Sequence, residues 1–256
     1  MKTFLNVSRP LITGMLRSRD REGLLQEIAR VRAEGAEAFC FSMQVLPPEQ
    51  KTPTVLKELL DAMSDKPVYL TNYMSGNATE GITWDRLAEE LLTAVELGAT
   101  LIDVPADMFC SADMEFTTDP TAIARQRELV AEIHRRGGEV IMSSHVKRFI
   151  PRETVLTIAR EQEARGADIA KVVTAADNEQ ELNENFAINA MLTRELGVKH
   201  LFLCNGTHCR RHRILGPLMG SALFLAVENA LTSENQPTIA EVKALFSLVE
   251  ERKMQL

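Results

Sequence analysis

One junction recurs along this chain. An amphipathic helix pattern ends, a glycine follows, and a short apolar run begins. It reads AEGAEAFCF, ELGATLIDV, RRGGEVIMS, RGADIAKVV and ELGVKHLFL. Gly35, Gly98, Gly137, Gly166 and Gly197 all fit the left-handed position that closes a helix, where a side chain would be strained. A helix that must stop and feed a strand, again and again, is the signature of a parallel sheet built from βα units. The apolar runs fall at 10–15, 37–43, 67–72, 100–105, 138–143, 168–174, 199–204 and 219–226. Helical spacing of apolar residues fills the gaps at 20–34, 53–64, 84–97, 120–136, 151–165 and 178–196, with a last helix at 238–252. Eight strands alternating with helices over 256 residues fit an α/β fold of the (β/α)8 TIM-barrel type. The competing open, doubly wound sheet lacks its usual ligand signature here, since no G-x-G-x-x-G turn or P-loop follows a strand. No Pro/Gly/Ser-rich linker interrupts the pattern, so residues 1–256 read as one barrel domain.

Composition narrows the function classes. With 45% apolar and 25% charged residues the chain can bury a large core, roughly 73% of its unfolded surface by area scaling. A net charge of −7 argues against a broad nucleic-acid or anionic-membrane surface but leaves room for a local basic pocket. The first residues, MKTFLNVS, hold no apolar leader, and no run of apolar residues is long enough to span a bilayer. Four scattered cysteines, Cys40, Cys110, Cys204 and Cys209, read as free thiols of a cytoplasmic protein.

In a barrel, chemistry sits at the C-terminal ends of the strands. Lys171 lies inside the sixth apolar run, on the same face as Ile169 and Val173. A lysine in a covered strand is costly to bury charged, and desolvation makes its neutral amine available as a nucleophile toward a carbonyl. The alternative is a lysine whose stem is buried while its head reaches a barrel-end carboxylate. His145 directly follows the fifth run, in Ser143-Ser144-His145, and would neighbour Lys171 at one barrel end. An amine beside a proton carrier is the minimum for Schiff-base chemistry. Asp103, inside the fourth run, and Asp107, just past it, are candidate acids at the end of that strand, read first as caps or as partners of Lys171 or a neighbouring strand. Trp84 and the methionines read as packing. The basic run from Cys204 to Arg213 reads as a loop after the seventh strand, with Arg213 able to clamp a carboxylate. Cys204, His208 and Cys209 lack the spacing of a zinc site, so no metal or cofactor is expected.

The set of motifs resembles the type I 3-dehydroquinate dehydratases, the Schiff-base enzymes of the shikimate pathway. The likeness runs over nearly the whole chain and is strongest from Gly137 to Gln236. IMSSH matches the family's strand-5 histidine signature and GADIAKVV its strand-6 lysine signature. Arg213, followed by Gly216 and then Gly220-Ser221, matches its arginine motif. The final substrate loop corresponds to Thr232-Ser233-Glu234-Asn235-Gln236. The resemblance implies that Lys171 forms an imine with a substrate ketone and His145 moves protons. It also implies that Arg213, Gln236 and Thr232 hold the substrate's carboxylate and hydroxyls.

The first half departs from the family. The Glu, Arg and Asp of its strand 2 correspond to Cys40, Ser42 and Gln44 here. Its strand-3 Arg is Tyr73, an acidic residue four further on is Asn77, and its strand-4 Glu is Pro105. Cys40, Ser42 and Tyr73 thus stand where the family contacts its substrate. The expected function is a lyase dehydrating 3-dehydroquinate or a related cyclic polyhydroxy keto-acid. A class I aldolase acting on another keto substrate, and a non-catalytic barrel that binds a keto-acid, are the alternatives. A small-molecule keto-acid is the expected partner, without nucleic acid or membrane, in a chain that some relatives would suggest dimerises.

Overall fold

The computed structural model describes residues 2–230 and 235–252. Eight parallel strands alternate with helices in chain order: β1 (Leu11–Met15), β2 (Ala38–Ser42), β3 (Val68–Thr71), β4 (Leu101–Pro105), β5 (Glu139–His145), β6 (Ile169–Ala175), β7 (Lys199–Asn205) and β8 (Leu223–Ala226). They hydrogen-bond in the order β7-β6-β5-β4-β3-β2-β1-β8. The two ends meet at a single parallel bridge between His200 and Ser221, where the Ala222 amide donates to the His200 carbonyl at 2.8 Å. The sheet is thereby a nearly closed (β/α)8 barrel, as its repeating junctions predict.

The outer helices are α1 (Arg21–Glu34), α2 (Pro53–Ala62), α3 (Trp84–Glu96), α4 (Pro120–Arg135), α5 (Arg152–Ala164), α6 (Glu179–Glu195), α7 (Cys209–Leu215) and α8 (Ile239–Glu251). Their starts follow from capping chemistry. Asp20, Thr52, Thr83, Asp119, Asn178 and Thr238 each accept a first-turn backbone N–H. Four of the five junction glycines, Gly35, Gly98, Gly137 and Gly166, have φ between 85° and 111°. Gly197 does not, because α6 ends in an extended Leu196 (φ −98°, ψ 143°) rather than in a left-handed turn.

α7 corrects the expectation of a loop after β7. Cys209, His212 and Arg213 are its buried face, at the i, i+3, i+4 spacing of a helix. Two of those three are polar residue types, so the stripe does not register as apolar in the sequence.

Two cores result. The larger packs helices against the barrel's outer wall, through residues such as Leu24, Leu59, Leu91 and Ile133. The second fills the barrel itself with Ala38, Cys40, Tyr69, Leu101, Ile141, Ile169, Val173, Leu201, Leu203, Leu223 and Leu225. Phe4, fully buried, belongs to this inner core. Its amide donates to Glu139 Oε2 at 2.9 Å at the start of β5. With that end packed, the polar inward residues collect at the other, where the strands finish. No helix among the described residues is long and apolar enough to cross a membrane.

Candidate active site

Register puts the inward residues together. Ser143 pairs with Lys171 and His145 with Val173 across β5 and β6, while Pro105 pairs with Ser143 across β4 and β5. Side chains alternate along each strand. Asp103, Ser143, Lys171 and, from β3, Tyr69 therefore form a polar layer directly above the inner apolar core.

Lys171 is held by three oxygens. Its Nζ donates to Tyr69 Oη at 2.8 Å, to Tyr73 Oη at 2.9 Å and to Asp103 Oδ2 at 3.0 Å. Both tyrosine hydroxyls donate to the same carboxylate oxygen, and Ser143 Oγ donates to Asp103 Oδ1 at 2.5 Å. Burial pushes the Asp103 carboxyl up, but the charges of Lys171 and His145, with the hydrogen bonds from Ser143 and Tyr69, outweigh it. The group ends below its ordinary value, and a carboxylate inside a barrel is held ionised by its cradle. The ion-pair geometry considered for Lys171 is thus present. It also presents the amine to a cavity, so burial beside a carboxylate and access to a ligand coexist.

His145 ends β5 half-buried. Its Nδ1 lies 2.6 Å from Glu115 Oε2, and its backbone amide donates to the same oxygen at 3.2 Å. A carboxylate can only accept, so Nδ1 donates a ring proton to it, and Nε2 is the ring nitrogen turned away from Glu115. The ring also meets Tyr73 edge-on, with centroids 5.3 Å apart.

Glu115 is a site residue that the sequence does not announce. It sits on the β4–α4 loop with left-handed φ values at both Met114 (61°) and Glu115 (49°). Non-glycine residues adopt that conformation only when their surroundings hold them there. Here Ser144 Oγ donates to the Glu115 carbonyl at 3.0 Å. The fully buried Arg165 ties the loop down through the carbonyls of Ala106 (2.9 Å) and Thr117 (2.8 Å).

The remaining residues singled out in the sequence mostly converge. A cavity of about 180 Å³ is lined by Lys171, His145, Tyr73, Tyr69, Cys40, Ser42, Arg213 and Gln236. Arg213 is 6% exposed. Its Nε donates to the Cys204 carbonyl at 2.6 Å and its Nη2 to Asn205 Oδ1 at 2.5 Å. The Gln236 amide oxygen accepts from its Nη1 at 2.8 Å, while the Gln236 nitrogen donates to the Leu225 carbonyl at 3.3 Å. Burial lowers the guanidinium's pKa, and the two nearby thiols, Cys204 and Cys209, are themselves held neutral by burial. Among the described residues it has no acidic partner. Ser42 Oγ accepts from Thr71 Oγ1 at 3.2 Å. Cys40 is a buried thiol pushed up to about 12 by desolvation, so it presents a neutral surface and not a thiolate. Thr232 lies outside the described residues.

A second cavity, about 350 Å³, adjoins the first at Tyr73 and His145. It is walled by Met74, Trp84, Pro105, Asp107 and Glu115. Trp84 therefore borders a cavity as well as packing.

The comparisons with known proteins agree with this geometry. The family model for type I 3-dehydroquinase matches residues 14–253. The chain belongs to the type I 3-dehydroquinase family. A 3-dehydroquinate dehydratase of Geobacillus kaustophilus is 29% identical over 128 residues, 48% of this chain and 50% of that protein. The matched region thus spans half the length of that curated relative. Among solved structures, a type I 3-dehydroquinate dehydratase from Clostridium difficile, in a form with covalently modified comenic acid, superposes with a TM-score of 0.83. It covers 98% of both chains at 16% identity. The enzyme from Geobacillus kaustophilus gives 0.82 at 18% identity, covering 98% of this chain and 96% of that one. These structural likenesses establish the shared barrel.

Proposed function

We propose that this member of the family is a Schiff-base lyase that dehydrates 3-dehydroquinate or a closely related cyclic polyhydroxy keto-acid, with Lys171 as nucleophile and His145 as general acid and base. The observation that carries the reading is the content of one cavity. It combines a lysine, a histidine with a free Nε2, and a buried arginine whose charge no described carboxylate neutralises. A buried guanidinium without an internal counter-ion suits a ligand that brings its own carboxylate. Asp103 already balances Lys171, so Arg213 is the charge left to the substrate's acid group.

The chemistry follows from positions. Lys171 adds to the ketone and, after loss of water, becomes a protonated imine beside Asp103. The imine withdraws electrons from the adjacent carbon, so His145 Nε2 can take a proton from it. The protonated histidine, its charge faced by Glu115, then returns a proton to the departing hydroxyl on the next carbon. Hydrolysis of the imine releases an enone.

One specific feature favours a substrate other than 3-dehydroquinate itself. The wall from β2 and β3 presents Cys40, Ser42 and Tyr73, and the adjoining cavity of about 350 Å³ leaves room beyond His145. An uncharged wall that opens onto further space would suit a keto-acid with an added substituent. The test is direct assay of purified protein with 3-dehydroquinate, followed by the conjugated-enone absorbance of the product. Enone formation that is lost in Lys171→Ala supports the reading. Absence of turnover, together with imine formation on another cyclic keto-acid, would assign the wider substrate. Neither turnover nor imine formation would refute the lyase.

A further inference from the structure

The cradle around Lys171 raises a question of proton supply. Building an imine from a ketone requires expelling the carbonyl oxygen as water, and that oxygen must be protonated as it leaves. Asp103 and Ser143 are fully buried beneath the lysine. Tyr69 lies mid-strand in β3 and is 1% exposed. His145 Nδ1 is committed to Glu115 and its ring meets Tyr73 edge-on, while the hydrogen bonds of Nζ go to Tyr69, Tyr73 and Asp103. Tyr73 stands past the end of β3, half-buried, and borders both cavities. Among the described residues it alone combines a hydroxyl 2.9 Å from Nζ with a position on the open side of the cavity. Its proton can be replaced internally, since the same hydroxyl is hydrogen-bonded to Asp103 Oδ2 at 2.5 Å.

We propose that Tyr73 is the catalytic acid for imine formation, donating its proton to the oxygen that leaves as water and recovering one from Asp103. This rests on the Schiff-base reading above and deepens it. The step balances. The Lys171 ammonium passes one proton to the Asp103 carboxylate, and the freed amine forms a C–N bond to the ketone carbon. A second proton moves from nitrogen to oxygen to give the carbinolamine. The C–O bond then breaks, the nitrogen lone pair forms C=N, and the departing hydroxide takes the Tyr73 proton to become water. Asp103 returns its proton to the tyrosine oxygen. The iminium remains beside a carboxylate, with no oxidant or reductant involved.

Burial, followed by the Asp103 charge, holds the Tyr73 hydroxyl well above its ordinary value. It therefore keeps its proton until a base as strong as departing hydroxide appears. Tyr69 holds Nζ from below and is a positioning residue in this scheme.

The experiment measures imine formation apart from turnover. Full-length wild type, Tyr73→Phe and Tyr69→Phe are mixed with 3-dehydroquinate, quenched with borohydride at intervals, and read by intact mass. Tyr73→Phe should trap about 10²-fold more slowly. Its rate should rise as pH falls and recover on adding imidazolium buffer as a substitute acid. Tyr69→Phe should lose less than about tenfold and show no buffer response. Tyr73→Phe trapping within about threefold of wild type, or slowed without buffer recovery, would overturn the assignment. Wild type itself supplies a readout independent of any variant's folding. Imine formation should slow in D2O, and an unchanged rate would also overturn it. Absence of trapping in wild type with 3-dehydroquinate and with every other cyclic keto-acid tried would refute the Schiff-base reading and this inference together, whereas normal wild-type trapping with an unaffected Tyr73→Phe refutes the inference alone.

Discussion

Replacing Arg213 with methionine separates affinity from stability in a way the site geometry specifies. The guanidinium makes three hydrogen bonds inside the protein, to the Cys204 carbonyl, Asn205 Oδ1 and the Gln236 amide oxygen. Losing them costs about 1 kcal/mol each. Against that, the free protein no longer holds a desolvated cation without an acidic partner, a burden of several kcal/mol for a buried ion. Methionine keeps much of the apolar stem. The two effects nearly cancel, so the midpoint of thermal unfolding should move by no more than about 5 °C. Substrate binding has no such compensation. A carboxylate entering the cavity would find no charged partner, and truncating one side of a buried charge pair costs about 2–5 kcal/mol. KM should rise roughly 30- to 5,000-fold, with kcat changed much less, because the contact is made equally in the bound and reacting states. Steady-state kinetics and a thermal melt on the same preparation decide it. A large fall in melting temperature with KM unchanged would show that Arg213 serves the fold, and the carboxylate assignment would fail.

Other outcomes follow from the same structure. Glu115→Gln should lower kcat about 10²-fold or more while leaving borohydride trapping on Lys171 intact, because the orienting carboxylate of His145 is lost but the nucleophile is not. Slowed trapping would place Glu115 in imine formation instead. Arg165→Met removes the tether of the β4–α4 loop and should destabilise the fold by several kcal/mol through unsatisfied buried carbonyls, read by urea unfolding. A neutral effect there would mean that the loop is held by other contacts. Acid should weaken the fold through His200 and His212. Burial holds both down to about 4 from an ordinary 6.5, so the unfolded chain binds protons first as pH drops. Their contribution, about 3 kcal/mol each, is complete above about pH 6.5 and lost by about pH 4. Urea midpoints across that range should fall, and His212→Phe, which keeps the packing against Phe186 and Phe202, should flatten the dependence.

The barrel is legible in the sequence because its local signals agree. Helix caps, junction glycines and short apolar strands all point to the same βα repeat. Strand ends are less legible. β5, β6 and β7 continue through His145, Ala175 and Asn205, beyond where polarity suggests that they stop, since an inward polar residue at the barrel mouth still pairs its backbone in the sheet. Lys171 and His145 can be read from one rule, polarity where a strand should be apolar. Asp103 is readable as the lysine's partner for the same reason. Tyr69 is not, because an aromatic in a strand looks like packing and its hydroxyl's role depends on register with β4 and β6. Glu115 is harder still. It lies in an irregular loop ten residues past β4, in a left-handed conformation that nothing in its residue type announces, and reaches His145 only because Arg165 and Ser144 fix the loop. α7 escapes notice because its buried face is made of Cys209, His212 and Arg213.

The central claim is that Lys171 is a nucleophile and not merely the partner of Asp103. Incubating the protein with 3-dehydroquinate and, separately, with a panel of cyclic keto-acids, reducing with borohydride, and mapping the adduct by peptide mass tests it most directly. A stable secondary amine on Lys171, absent in Lys171→Ala of unchanged fold, is the expected result. An unmodified Lys171 with every keto-acid, or an adduct on another lysine that survives the substitution, would contradict it.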